Sequence, residues 1–259
     1  MTPEFFSALD IGRVRDNNED AVAIDEEVAL AVLADGMGGY NAGEVASALA
    51  TSRIHAHFGA WVRQHGAQAS DRDLLHALEA CVVETNRAIL DRGTRDPHCA
   101  GMGTTLVVTL LRDDRLLVGH IGDSRAYRLR GGDLKQITHD HSVMQEHIDL
   151  GLITPEQAAL SGRRNLVTRA LGVEPTVRLE AHLHEVEQGD TYLLCSDGLS
   201  DMLPAPAIAR LLLQHASLAD AGRALVDAAN EAGGRDNISL ILLRAGGGGP
   251  SRFKWSFRR

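Results

Sequence analysis

The sequence predicts an α+β fold of one domain, in which mainly antiparallel sheets carry helices on their outer faces. Strand-like segments come in runs joined by short turns, with helical segments between the runs, and this order favours antiparallel sheets over a doubly wound fold. Hydrophobic residues make up 44% of the 259 residues and charged residues 24%, the balance of a folded globular protein. Layered sheet folds often reach this length as one unit, so we expect a domain over residues 1–245 and a tail over 246–259.

The first half of the chain is predicted to contain a strand, a glycine loop and a helix, then a second helix and a hairpin. Residues 28–34 are a continuous apolar run of strand length that stops at a glycine-rich loop, and a helical pattern starts near Glu44. A second helical stretch covers about 71–91. Segments 104–111 and 116–121 follow as strands separated by a polar turn, which predicts a β-hairpin.

The second half is predicted to add three strands, two helices and a surface flap. Residues 124–130 form a strand ended by two glycines, and the polar, weakly helical segment of about 138–169 is interpreted as a flap. The elements expected after the flap are a strand over 191–195, two helical stretches within 205–232 and a closing strand over 238–243. Four consecutive glycines, followed by basic and aromatic residues, indicate that the tail is a flexible appendage.

Composition excludes several kinds of partner and location. The formal net charge of -9 argues against a nucleic-acid partner, because such binding needs a surplus of Lys and Arg. The N-terminus lacks the pattern of a secretion signal, and no apolar run approaches the roughly eighteen residues that span a bilayer. The three cysteines include no CxxC pair and are interpreted as reduced thiols. We therefore expect a cytoplasmic protein without stable membrane association.

Acidic residues at predicted strand ends are the most informative pattern. Asp35 and Asp197 each follow an apolar strand and precede a glycine, and Asp236 directly precedes a strand. Asp20 adds a carboxylate near the N-terminus. Mg²⁺ and Mn²⁺ prefer such oxygen ligands, so together these residues predict a divalent cation site. Arg15 lies close to Asp20 in sequence, and its planar guanidinium is suited to binding phosphate oxygens.

Short motifs rich in Asp and Gly recur along the chain. They are Arg15 to Ala21, Asp35-Gly36-Met37-Gly38-Gly39, Gly43-Glu44, Gly103-Thr104-Thr105, Gly122-Asp123-Ser124-Arg125, Ser196-Asp197-Gly198-Leu199 and Asp236-Asn237. Their order resembles the metal-dependent protein phosphatases of type 2C, particularly their compact bacterial members. The resemblance covers the chain up to about Ala245. It implies a four-layer α-β-β-α sandwich, with two mainly antiparallel sheets packed face to face, helices outside and a metal site at one edge of the sheets.

The resemblance also implies two bound divalent cations, Mn²⁺ or Mg²⁺. Asp35 would bridge the two ions, and the Gly36 carbonyl would bind one of them. Asp197 and Asp236 would complete the other site, while Asp20 would serve the second ion, partly through water.

Two further points about the metal ligands follow from the same resemblance. Glu19 is an alternative to its neighbour Asp20, and the sequence does not divide the work between them. Asp123 and Asp201 resemble residues that hold a third, weaker ion near the flap in bacterial relatives.

The activity implied is hydrolysis of phosphoserine and phosphothreonine in proteins by a metal-bridged hydroxide, with Arg15 and Asp35 as catalytic residues and Arg15 holding the phosphoryl group. The substrates would be phosphorylated proteins, including a bacterial Ser/Thr kinase that the monomeric enzyme opposes in signal transduction. Met37 and Tyr40 occupy positions where relatives carry a histidine, which leaves the general acid unassigned. Metal-bound water leads the candidates, with His139 or His141 of the flap behind it.

Two other functions remain open from the sequence. A noncatalytic binding domain could share this fold, and a hydrolase of small phosphate esters or nucleotides could share this site. The paired histidines at HxH spacing are interpreted as structural or surface residues, since no metallohydrolase motif follows them. Cys195 is interpreted as a buried, inert thiol, and the basic group at 163–165 either as a solvated turn or as a guide for a phosphopeptide.

Overall fold

Two antiparallel sheets form the centre of the molecule in a computed structural model that describes residues 2–39, 42–154, 157–158 and 166–246. In chain order the strands are β1 (Glu4–Asp10), β2 (Asp20–Asp25), β3 (Leu30–Met37), β4 (Gly103–Thr104), β5 (Leu106–Arg112), β6 (Arg115–Ile121), β7 (Arg125–Arg130), β8 (Asp133–Gln136), β9 (Glu180–Glu185), β10 (Thr191–Cys195) and β11 (Ile238–Arg244). The α-helices are α1 (Ala42–Arg53), α2 (Gly59–His65), α3 (Asp71–Arg95), α4 (Val143–Asp149), α5 (Asp197–Ser200), α6 (Ala205–Gln214) and α7 (Leu218–Glu231). A π-helical turn over Ile54–Phe58 joins α1 to α2, and a short 3-10 turn covers Pro97–Cys99.

Both sheets are antiparallel throughout. One has five strands in the order β1-β11-β10-β7-β8, and the other follows β2-β3-β5-β6-β9 with β4 paired to β3. The predicted hairpin is β5 and β6, whose tight turn contains Asp113 at a φ of 55°. The predicted strand 124–130 is β7, which lies in the opposite sheet from that hairpin.

Alternation along the strands creates a three-part core. In β3, Leu30 and Val32 pack with α1 and α3, whereas Leu33 faces the other sheet. In β11, Leu242 packs with α6 and α7, whereas Ile241 faces the six-stranded sheet. Since successive side chains of a strand point to opposite faces, each sheet buries one face against helices and the other against its partner sheet. The result is the expected four-layer α-β-β-α sandwich.

The flap is fixed at its base. Its described residues include α4, and an isolated β-bridge joins Ser142 to Val167. The Thr168 N–H donates to the His141 carbonyl at 2.8 Å, so the two arms of the flap are held side by side. The basic group at 163–165, Tyr40 and tail residues 247–259 lie outside the described residues. Within the described part of the chain, none of the helices has both the length and the apolar character needed to cross a bilayer.

Candidate metal centre

Two of the predicted ligands meet on neighbouring strands of the six-stranded sheet. Asp20 begins β2 and is the cross-strand partner of Asp35 in β3. The Asp35 backbone is held by both threonines of the glycine-threonine motif. Its N–H donates to Thr105 Oγ1 at 3.0 Å, and its carbonyl accepts from Thr104 Oγ1 at 2.8 Å. β3 thus continues through Asp35 to Met37, three residues beyond the predicted apolar run, because β4 pairs with it there.

The other two predicted ligands come from the five-stranded sheet. Asp197 follows β10 and begins α5, and Asp236 lies just before β11, the neighbour of β10. In an antiparallel pair the end of one strand lies beside the start of the next, so both carboxylates reach the same end of the sheet. A Cβ at Gly198 would overlap the carbonyl oxygen of Asn237, which explains the glycine after Asp197.

The carboxylates from the two sheets form one cluster, because Ser196, the neighbour of Asp197, donates from Oγ to Asp20 Oδ2 at 2.9 Å. Burial first, and then the charges of Asp20, Asp197, Asp123 and Asp236, raise the pKa of Asp35 well above its ordinary value. Burial and the charge of Asp197 likewise raise the pKa of Asp20 to about 7. For Asp197, burial together with the charges of Asp201 and Asp236 raises the pKa to about 6.

The donor set fits a hard divalent cation. Asp20 Oδ1 and Asp123 Oδ2 are buried and, among the described residues, have no hydrogen-bond partner. An unpaired buried carboxylate oxygen is costly, and a cation would compensate both the missing contact and the repulsion. Oxygen ligands of this kind are those of Mg²⁺ and Mn²⁺.

The two residues expected near a third ion differ in their surroundings. Asp123 lies between β6 and β7 and is only 3% exposed. Burial and the charges of Asp197 and Asp140 raise its pKa to about 7. Asp201 follows α5 and is exposed, and its charge acts on Asp197.

Arg15 lies at the rim of the cluster. Its Nη2 donates to Asp236 Oδ2 at 2.6 Å, and its side chain is 42% exposed. This hydrogen bond raises the pKa of Arg15. One guanidinium has five N–H donors, so the pair with Asp236 leaves donors of Arg15 for an anion arriving from solvent.

Glu19 and Asp20 occupy different positions. The Glu19 carboxylate accepts a hydrogen bond from the Gly43 N–H at the start of α1, while burial raises its pKa. Asp20 instead accepts from Ser196 Oγ at 2.9 Å inside the cluster. Gly36 packs against the same helix start, since a Cβ there would overlap the Gly43 carbonyl oxygen.

Sequence reasoning gave Asn237 no role, although it belongs to a matched motif. Asn237 is 5% exposed, and its Nδ2 donates to the carbonyls of Ile11 at 3.0 Å and Asn17 at 2.8 Å. Its Oδ1 accepts from the Glu19 N–H at 2.8 Å. One buried side chain therefore fixes the N-terminal loop that carries Arg15 and leads into β2.

Neither flap histidine contacts the carboxylate cluster. His139 Nε2 lies 2.7 Å from Asp149 Oδ2 on the flap itself. His141 is 4% exposed, and its two ring nitrogens face Gly122 and Glu180. Cys195 is fully buried, and burial raises the pKa of its thiol to about 12, as expected for an inert cysteine.

Comparison of the sequence with known proteins finds a matching family model and similar phosphatases. A family model described as Protein phosphatase 2C matches residues 13–242. The serine/threonine protein phosphatase PstP of Mycobacterium tuberculosis is 42% identical over 236 residues, covering 90% of this chain and 43% of that protein. The chain thus spans less than half the length of this relative. The serine/threonine phosphatase stp of Listeria monocytogenes is 34% identical over 237 residues, covering 90% of this chain and 92% of that protein.

Solved structures of bacterial serine/threonine phosphatases superpose on this chain. The crystal structure of the M. tuberculosis phosphatase PstP/Ppp superposes with a TM-score of 0.86 at 39% identity, covering 95% of this chain and 100% of that one. A structure of the PstP catalytic domain in complex with two manganese ions superposes with a TM-score of 0.81 at 39% identity, covering 95% of this chain and 99% of that one.

Proposed function

Because the chain belongs to the protein phosphatase 2C family, we propose that it hydrolyses phosphoserine and phosphothreonine in proteins in a reaction that depends on divalent cations. The observation that carries this proposal is the buried carboxylate cluster built from both sheets, whose repulsion and unpaired oxygens a cation would relieve.

We assign the ligand roles as the family resemblance implies. The charges of Asp20, Asp197, Asp123 and Asp236 all act on Asp35, which would contact both ions. Asp20 and the Gly36 carbonyl would serve one ion, and Asp197 and Asp236 the other. When bound, two divalent cations supply Lewis-acid stabilisation of the phosphoryl oxygens and a nucleophile derived from water at neutral pH.

The chain's own residues position the reactants. Arg15, exposed at the rim, would bind phosphoryl oxygens in the bidentate manner that guanidinium favours. Thr104 and Thr105 hold the Asp35 backbone, and Asn237 holds the loop that carries Arg15. No protein nucleophile is needed in this scheme.

The biological setting is part of the same proposal. The catalytic domain would occupy residues 1–245 and act as a cytoplasmic monomer in signal transduction, on phosphoproteins that include a Ser/Thr kinase. The three cysteines are free, and two of them are buried. Free thiols are typical of a reducing compartment.

Hydrolysis of a phosphothreonine peptide tests the proposal. Wild-type protein is compared with Asp35→Asn, and with Asp133→Asn as a control at an exposed position in β8, first with Mn²⁺ and then with chelator. We expect wild type and the control to hydrolyse the peptide with Mn²⁺ and not with chelator. The turnover rate of Asp35→Asn should be at least about 100-fold lower, as for removal of a major electrostatic contributor. Absence of turnover on several phosphopeptides by folded, Mn²⁺-loaded wild type would overturn the proposal. Faster turnover of nucleotides than of phosphopeptides would assign the site to small phosphate esters.

A further inference from the structure

His141 connects the flap to the loop that carries Asp123. The backbone N–H of Gly122 donates to His141 Nδ1 at 3.1 Å, and the backbone N–H of His141 donates to the Gly122 carbonyl at 2.9 Å. Gly122 has a φ of +100°, and a Cβ there would lie 2.7 Å from Thr105 Cγ2. The loop before Asp123 is therefore held between His141 on one side and Thr105, which binds Asp35, on the other.

The hydrogen bonds define the tautomer of His141. Because Nδ1 accepts from Gly122, it carries a lone pair, and the ring proton lies on Nε2. Nε2 is 3.2 Å from Glu180 Oε2, so the ring donates to this carboxylate. Glu180 lies opposite His120 across β9 and β6, and the His120 ring stacks on His141 with centroids 4.8 Å apart. A carboxylate that orients an imidazole in this way fixes which nitrogen accepts.

The same tautomer argues against a second metal site. Ligand atoms of His120, His141 and Glu180 lie within 4.8 Å of one another, close enough to share an ion. The His141 nitrogen that faces Glu180 carries the proton, however, and offers no lone pair. Arg169 Nη1 lies 3.3 Å from the same nitrogen. Because the backbone N–H of Gly122 requires the lone pair on Nδ1, this contact brings together two protonated nitrogens and is not a hydrogen bond, and the guanidinium charge would repel a cation. Burial lowers the pKa of His141, which keeps the ring neutral near pH 7, the form that can accept from Gly122.

A second link ties the flap to the start of β7, which follows this loop. Asp140, which precedes His141, is 5% exposed and accepts from Arg125 Nε at 2.9 Å and Nη2 at 2.6 Å. Gly122, just before Asp123, and Arg125, two residues after it, are thus bound by two consecutive flap residues. Since Asp123 Oδ2 has no hydrogen-bond partner among the described residues, its position depends on this backbone.

We propose that His141 is a positioning residue, which Glu180 orients and which fixes Asp123 through the Gly122 amide. The flap is thereby coupled to the weakest cation position of the site. This inference rests on the proposed function and on the third, weaker ion that the family resemblance implies beside Asp123.

Substitutions at His141 separate positioning from packing. Asn can present an oxygen near the place of Nδ1 and keep the Gly122 hydrogen bond, whereas Gln reaches towards Glu180 and Ala makes neither contact. Mn²⁺ binding is measured by electron paramagnetic resonance titration, with Asp123→Asn identifying the weakest site and circular dichroism confirming the fold. We expect His141→Ala and His141→Gln to weaken that site about tenfold or more, as for loss of a partner of a metal ligand, and His141→Asn to restore most of the affinity.

The control and a second measurement make the outcome decisive. His182→Asn changes an exposed histidine that contacts the other oxygen of Glu180, and it should leave Mn²⁺ binding unchanged. Nitrogen-15 NMR of the wild-type histidines reads the tautomer without any substitution, and we expect His141 protonated at Nε2 at pH 7. Protonation at Nδ1, or His141→Asn and His141→Ala binding alike, would overturn the inference. If wild type bound no Mn²⁺, the proposed function and the Asp123 coupling would both fail, while the NMR result would still judge the Gly122 contact.

Discussion

Replacing Asp20 by asparagine should stabilise the cation-free protein at neutral pH. Asp20 is 8% exposed, and its pKa rises from an ordinary 3.8 to about 7 because of burial and of the Asp197 charge. Asparagine removes the charge but keeps an oxygen to accept from Ser196 Oγ. The repulsion that the fold tolerates for cation binding would then be reduced.

The magnitude follows from linkage between proton binding and folding. A carboxyl with a higher pKa when folded contributes stability that is fully present below the unfolded value of about 4 and is lost as the pH rises through about 7. One pKa unit is worth about 1.4 kcal/mol, so the raised pKa of Asp20 lowers the free energy of unfolding by ~4 kcal/mol once the pH exceeds about 7. Because neighbouring carboxyls can take up protons in its place, we expect Asp20→Asn to raise the free energy of unfolding by about 2–4 kcal/mol at pH 8.

Urea unfolding in chelator, followed by circular dichroism from pH 4 to pH 8, measures this effect. Wild type and the exposed control Asp133→Asn should lose stability together as the pH rises, and the gap to Asp20→Asn should widen between pH 4 and pH 7. Saturating Mn²⁺ should reverse the order, because it stabilises the wild type by mass action. Parallel pH profiles for wild type and Asp20→Asn, or a less stable Asp20→Asn at pH 8, would refute the reasoning.

Three further outcomes follow from the same contacts. Asn237→Ala should cost about 2–4 kcal/mol in urea unfolding, since three partly buried hydrogen bonds are lost, and a cost below about 1 kcal/mol would show that the N-terminal loop is held by other contacts. Gly36→Ala should lower the melting temperature sharply, because its Cβ would overlap the Gly43 carbonyl oxygen, by an amount equivalent to about 3 kcal/mol or more; an unchanged melting temperature contradicts this packing. Iodoacetamide at pH 8 should modify Cys195 only as fast as the protein unfolds, since burial raises its pKa to about 12, and rapid alkylation of the folded protein would disprove an inert thiol.

The strands that the sequence predicted are the central ones, and those it missed, apart from the two-residue β4, lie at the edges of the sheets. β1 and β8 end the five-stranded sheet, and β2 and β9 end the six-stranded sheet. Edge strands bury less of each side chain and tolerate polar residues, so their apolar signal is weak. The predicted strands β3, β5, β6, β10 and β11 are almost fully buried, which gives the continuous apolar runs of the sequence.

The carboxylates could be predicted because each stands at a strand end beside a recognisable motif. The residues that hold these carboxylates and their loops in place could not be predicted in the same way, because their contacts depend on strand register and join segments distant in sequence. Asn237 reaches back 226 residues to Ile11, and Glu180 meets His141 only through the pairing of β6 with β9. The sequence placed His141 among candidate proton donors for the same reason, since nothing in it shows that both ring nitrogens are already engaged.

Anomalous X-ray scattering from crystals soaked in Mn²⁺ tests the central claim most directly. We expect two strong peaks within the cluster formed by Asp20, Asp35, Asp197 and Asp236, with Asp35 in contact with both, and neither peak in crystals of Asp35→Asn. Wild-type crystals that bind Mn²⁺ elsewhere, or that show no peak beside Asp35, would contradict the claim that these carboxylates form the metal centre.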